Sequence, residues 1–245
     1  MCTVTFLPFK NGSGYMLTSS RDEKVSRPNA IAPQKYSLYG QTVFFPKDKQ
    51  AGGTWVATSP NNFTLCLLNG AFVKHESKPP YRLSRGIMLL DFFKFNNVRD
   101  FINFYDFNGI ENFTLLIIDS NKTLLLHELR WDGTTMHYAL KDSSQTHIWS
   151  SATLYTDDAI KNRQVWFDEF IHSHADDWSK EAIIQFHKSA GDGSLENSIL
   201  MNRDNRVKTV SITCIEHTNQ NYTMQYVDTE NMETASLRIF KHEMH

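Results

Sequence analysis

Near the start of the chain, three residues could do chemistry together: the thiol of Cys2 and the charged pair Arg21 and Asp22. Removal of the initiator methionine would give Cys2 a free α-amine, so that nucleophile and base share one residue. The ordinary pKa values, about 8.5 for a thiol and about 7.7–8.0 for an α-amine, are close enough for the amine to take the thiol's proton at neutral pH. That is the logic of an N-terminal nucleophile. The stretches Cys2–Pro8 and Tyr15–Ser20 are β-branched, aromatic and apolar, and Asn11-Gly12-Ser13-Gly14 between them supplies a hairpin loop. With the turn centred near Gly12, facing residue numbers sum to about 23 or 24, which sets Cys2 across from Arg21 or Asp22. An arginine beside sulfur favours the thiolate, and a carboxylate can hold the terminal amine. On spacing alone the plain alternative stays open: a buried strand cysteine beside a solvated charged loop.

The elements around this hairpin alternate strands with helices. A polar loop carrying Pro28 and Pro33 is expected next, then a short strand over Gln41–Pro46 and a break at Ala51-Gly52-Gly53. Thr54–Ser59 and Phe63–Asn69 read as a second hairpin, its second strand apolar enough for burial on both faces. Helical spacing predicts one or two amphipathic helices over Ser84–Tyr105. Strands return over Phe113–Asp119, Lys122–Trp131 and Thr134–Leu140, and helices over Asp157–Ser173, with Ile160, Phe167, Phe170 and Ile171 as the apolar stripe, and over Lys180–Lys188. Three final strands follow, over Val207–Glu216, Tyr222–Asp228 and Ser236–Lys241. The class is α+β, antiparallel sheets covered by helices, in a single domain spanning residues 1–245.

Composition narrows the function. A net charge of −2 with no long block of either sign gives no footprint for nucleic acid. No apolar run approaches the eighteen or so residues of a spanning helix. Three distant cysteines, Cys2, Cys66 and Cys214, fit neither a disulfide framework nor a metal knuckle, so a soluble protein of the reducing cytosol is expected.

The opening "MCTV", "SRDE" followed by "SRP", "AGGTWVATS" and "CLLN" resemble, in order and spacing, the NRDE family, the transport and Golgi organisation protein 2-like proteins. Ser20-Arg21-Asp22-Glu23 stands at the namesake Asn-Arg-Asp-Glu motif, with serine at its first position. The resemblance is strong over residues 1–75 and weaker beyond. This family is similar in turn to the N-terminal-nucleophile hydrolases of choloylglycine hydrolase and penicillin V acylase type, which implies a four-layer αββα sandwich and a cysteine amidohydrolase acting on linear, non-peptide amides. The resemblance implies Cys2 as nucleophile and, through its amine, base; Arg21 stabilising the thiolate; Asp22 orienting the amine; Asn69 binding the oxyanion; Arg206 adding a second positive charge near sulfur. In "WSSAT", Ser151 stands where the group often has a further oxyanion-binding asparagine.

A second reading keeps the fold without the catalysis, as a carrier or chaperone for an apolar ligand such as haem or lipid. The expected partner is accordingly a small-molecule amide or an apolar ligand, with a homo-oligomer possible and no cofactor expected. His127, His137 and His147 fall on successive strands without ligand spacing to a carboxylate or thiol, so no metal site is expected. Gly52-Gly53 lacks the context of a phosphate loop and reads as a turn before a strand.

Overall fold

The computed structural model describes residues 3–12, 14–61, 63–174 and 178–240. In chain order the strands are β1 (Thr3–Pro8), β2 (Gly14–Lys24), β3 (Ile31–Leu38), β4 (Gln41–Lys47), β5 (Val56–Thr58), β6 (Phe63–Asn69), β7 (Phe113–Asp119), β8 (Leu125–Trp131), β9 (Met136–Lys141), β10 (His147–Ser150), β11 (Asn202–Arg203), β12 (Val207–Thr218), β13 (Tyr222–Asp228) and β14 (Thr234–Arg238). The helices are α1 (Arg85–Asp91), α2 (Val98–Phe104), α3 (Asp157–His174) and α4 (Lys180–Ser189). They divide between two compact units, one made of residues 1–28 and 144–238, the other of residues 29–143 and those from 239 onward.

The first unit is built on an antiparallel sheet in the order β10-β1-β2-β12-β13-β14, with β11 beside β12. The β1–β2 hairpin forms as its pattern predicts, in a register whose partners sum to 23, such as Thr3 with Ser20 and Phe6 with Leu17. Helices α3 and α4 pack their apolar residues, among them Phe167, Phe170, Ile183, Ile184 and Phe186, against Leu7, Met16, Ile212 and Cys214 of the sheet. Each such side chain contributes about 1.5–3 kcal/mol when fully buried. Ser179 caps α4 by accepting from the Ala182 amide. On α3 the buried positions are Ala159, Arg163, Phe167 and Phe170, so an arginine occupies the stripe and Ile160 lies beside it.

The second unit is a seven-stranded antiparallel meander in sequence order, β3 to β9. Its core joins Leu65, Leu67, Phe113, Leu115, Ile117 and Leu129 to Met88, Leu89, Phe92 and Phe101 from the helical segment. Strand β3 replaces the loop expected around Pro33. The strand tolerates that proline because it lies at the sheet's edge, where the register slips between Ile31 and Gln34 and a missing N–H costs no ladder bond. Gly52-Gly53 turns the chain into β5 as read from the sequence. Gly52 has φ of +73°, and a Cβ on Gly53 would lie 2.4 Å from the Gly86 carbonyl carbon at the start of α1.

Candidate functional site at the start of the first strand

The described part of β1 begins at Thr3, flanked by Ser20 of β2 and Ser150 of β10. Arg21 and Ser151 are the next residues along those neighbours, so the structure gathers both at the open end of β1. Cys2 lies outside the described residues. Arg21 is buried and its Nη2 lies 3.4 Å from Glu23 Oε2, a carboxylate shared with Arg27 at 3.5 Å. Ser151 is buried, its hydroxyl 3.0 Å from that of Thr153.

Successive strand residues point to opposite faces, so Asp22 is directed away from Arg21. Its carboxylate is buried and engaged on both oxygens: the Thr209 hydroxyl donates to Oδ1 at 2.6 Å and the Tyr155 phenol donates to Oδ2. The guanidinium of Arg163 lies over the Tyr155 ring, 3.5 Å from its centroid, and that of Arg203 at 5.3 Å. Arg163 is fully buried; it donates to the Thr3 hydroxyl at 2.6 Å and to the carbonyls of Ser198 at 2.8 Å and Asn197 at 3.2 Å. A cation, an aromatic ring and a carboxylate thus form a continuous chain beside the start of β1.

His187 of α4 completes this polar interior, its Nδ1 2.7 Å from the Ser20 hydroxyl and its Nε2 2.9 Å from that of Thr5. Complete burial, and secondarily the Arg163 charge, push its pKa down to about 3. A histidine held neutral in this way favours the folded state above its unfolded pKa of about 6.5 and penalises it increasingly as pH falls from there toward 3. Between pH 7 and pH 4.5 this one group is expected to remove about 2–3 kcal/mol of stability. Urea unfolding at the two pH values checks it: a His187→Gln variant, which keeps a donor and an acceptor, should lose correspondingly less.

Asn69 ends β6 in the second unit, half-buried and opposite Phe113. Arg206 precedes β12 with its side chain 80% exposed and paired to Asp204 at 2.7 Å, so its charge is turned to that carboxylate and to water. Cys66 and Cys214 are buried thiols outside any disulfide, the latter pushed up to about 12 by burial. His127 bonds the Tyr138 hydroxyl at 3.0 Å and His137 lies 2.7 Å from Asp132. Among the described residues no three His, Cys, Asp or Glu are grouped to hold a metal, and no helix is long and apolar enough to cross a membrane.

Sequence reading missed Tyr155, Arg163, His187 and Thr209. A signal existed for two of them. Arg163 stands at helical spacing between Ala159 and Phe167, and His187 one turn after Ile183 and Ile184, which puts each polar group on an apolar stripe.

The α+β fold is that of the N-terminal-nucleophile hydrolases. The chain aligns with penicillin V acylase from Agrobacterium tumefaciens at a TM-score of 0.60 and 11% identity, covering 97% of this chain and 86% of that one. A variant of conjugated bile acid hydrolase from Clostridium perfringens aligns at 0.58 and 10% identity, covering 97% and 92%. The Caenorhabditis elegans ortholog of N-acylethanolamine-hydrolyzing acid amidase aligns at 0.58 and 8% identity, covering 87% and 92%. Comparison with curated protein sequences gives no match. Residues 1–235 match the family described as Transport and Golgi organisation 2, and the chain belongs to that family.

Proposed function

We propose that this protein is a cysteine N-terminal-nucleophile amidohydrolase of the cytosol, acting on linear, non-peptide amides once Met1 has been removed. The observation that carries this reading is the register of β1. Thr3, where the described part of β1 begins, pairs with Ser20 of β2 and Ser150 of β10, so that Arg21 and Ser151 both stand at the open end of the strand. The fold likeness to enzymes named for penicillin V, conjugated bile acids and N-acylethanolamines supports the same class of substrate.

In this reading the α-amine of Cys2 takes the thiol proton and the thiolate attacks the amide carbonyl carbon. Backbone amides hold the oxyanion, a contribution commonly worth about 3 kcal/mol, with the Ser151 hydroxyl where a longer carboxamide would otherwise reach. The intermediate collapses as the C–N bond breaks, and the leaving amine takes the proton from the terminal ammonium. Water then loses a proton to the amine, attacks the thioester and releases the acid, restoring the thiol. Arg21 favours the thiolate and Asp22 holds the amine. Arg206, turned to Asp204 and water, has no part in these steps.

Intact mass and alkylation test the proposal. Loss of the methionine is expected, together with iodoacetamide modification of Cys2 at pH 6.5 far faster than that of free cysteine. Against a panel of acyl amides of the three named kinds, Cys2→Ala should lose at least about a thousandfold in rate. Retention of Met1, or a Cys2 no more reactive than free thiol, would overturn it.

One observation favours the carrier reading: an open cleft of about 340 Å³ in the second unit, lined mainly by Val98, Ile102, His127 and Tyr138. A haem-like chromophore or lipid retained through purification, with an ordinary Cys2, would select that reading.

A further inference from the structure

We propose that the outer edge of β9 is a dimerisation surface: a second copy of the chain adds its own β9 antiparallel to it across a two-fold axis at Tyr138, joining two seven-stranded sheets into one. The surface lies wholly in the second unit and is separate from the nucleophile reading.

An open sheet edge invites another strand, and proteins blunt it with a proline, a bulge, charge or shortness. The other edges carry such devices. Strand β3 has Pro33 and the register slip between Ile31 and Gln34, β10 is four residues long, and β14 turns Thr234, Ser236 and Arg238 to water. Strand β9 has only the terminal Lys141. It pairs with β8 without a slip from Met136 to Lys141, contains no proline, and exposes His137, Tyr138, Ala139 and Leu140 in succession. Tyr138 is 50% and Leu140 56% exposed, and Val98 and Ile102 of α2 line the cleft beside Tyr138. An apolar row of this kind marks a surface that a partner covers.

The hydrogen-bond alternation selects the register. The Asp132 amide donates to the Thr135 carbonyl at 3.3 Å, so the backbone groups of His137, Ala139 and Lys141 turn to β8 and those of Met136, Tyr138 and Leu140 turn to the open edge. A two-fold axis at Tyr138 pairs that residue with its own copy, and Met136 with Leu140 of the second copy. Every outward donor and acceptor of the three residues is then used. The side chains agree with this pairing. Met136, Tyr138 and Leu140 meet apolar partners on one face, and on the other His137, with Phe72 edge-on at 4.9 Å between ring centroids, meets Ala139. Lys141 comes opposite Thr135, whose amide donates to the Asp132 carboxylate at 2.8 Å. Each lysine therefore approaches an acid of the other copy, and no like charges stand opposite one another. An axis at Ala139 would instead set Met136 against Asp142 and His137 against Lys141.

Sedimentation velocity of the full chain over about 1–100 μM tests the proposal. The mass should rise from 28.4 kDa toward twice that value. The midpoint is expected in the micromolar range, because a pair of six-residue strands is small beside a standard interface of about 1,600 Å². Leu140→Pro removes an amide that faces outward and so leaves the β8 ladder intact; it should weaken association at least about tenfold, one lost bond in each copy. Leu140→Lys keeps the backbone and sets a charge against Met136 of the second copy. It should act in the same direction, and it carries the test if the proline variant does not fold. Under mild oxidation Tyr138→Cys should link two copies through position 138, since facing Cα atoms in a bonded pair lie about 5.5 Å apart. Peptide mapping identifies that link, and Val165→Cys, equally exposed on α3, should not form one. A parent that stays monomeric throughout would overturn the proposal, whether the edge is left to water or to a different protein. So would a dimer that Leu140→Lys leaves intact and Tyr138→Cys does not link, because its interface would lie elsewhere.

Discussion

A Gly53→Ala variant is expected to lose more than about 3 kcal/mol of stability, or to fail to fold. The added Cβ would lie 2.4 Å from the Gly86 carbonyl carbon, 2.6 Å from the Ile87 amide nitrogen and 2.7 Å from the Gly86 oxygen. These are backbone atoms, so no side chain can swing away to make room. Relief requires the start of α1 to move off the β4–β5 connection. That start is held by the Thr54 amide donating to Gly86 O at 3.3 Å and by the Ser84 cap on Ile87. Moving α1 would draw Met88, Leu89 and Leu90 out of the core beneath it. Gly40→Ala is the control, because its φ is +78° but a Cβ there meets nothing within 4 Å; strain alone should cost about 1–2 kcal/mol. Thermal unfolding separates the two: for a chain of this size each kcal/mol moves Tm by about 2–4 °C.

That pair of glycines illustrates what could be read from the sequence. The Ala51-Gly52-Gly53-Thr54-Trp55 stretch was recognisable as a family mark and as a turn, but its reason is the approach of Gly86, distant in the chain. Local patterns were legible where pairing is local. The β1–β2 hairpin has alternating apolar residues and a loop of small residues, and its register follows from turn position. The meander from β6 to β9 is likewise paired between sequence neighbours. Strand β3 was illegible because its proline, Pro33, and its mostly solvated side chains carry loop chemistry, and only the edge position makes them compatible with a ladder. In the candidate site, Arg21 and Asp22 were visible as charged residues at a strand end. Tyr155, in the connection before α3, and Arg163 and His187, on helix faces, were not, since a polar residue in a loop or on a helix is normally taken as solvated. What makes them interior is the identity of the groups on β1 and β2 that meet them: the hydroxyls of Thr3, Thr5 and Ser20 and the carboxylate of Asp22.

Arg163→Met should cost about 2–4 kcal/mol, the sum of two opposing effects. Methionine fills the space of the aliphatic stem but stops short of the guanidinium, and it removes the penalty of keeping that cation out of water, which is why buried charges can sometimes be replaced by apolar groups with little loss. Against this, the buried hydroxyl of Thr3 and the partly buried carbonyls of Asn197 and Ser198 lose their donor, at about 1–3 kcal/mol for each buried group left unpaired. Two or three orphaned acceptors outweigh one relieved cation. Arg163→Lys should fall between, since an ammonium keeps the charge but cannot fork to two carbonyls and a hydroxyl while lying flat on Tyr155. The substitution also has a signature in pH. The Arg163 charge is the second cause, after burial, of the low pKa of His187. Without the charge, His187 can be protonated nearer its ordinary value, so the loss of stability between pH 6.5 and pH 4.5 should be shallower in Arg163→Met than in the parent. Denaturant titrations at several pH values measure both quantities. A parallel downward offset with unchanged slope would mean that Arg163 acts on its hydrogen-bond partners alone and that its charge does not reach the His187 ring.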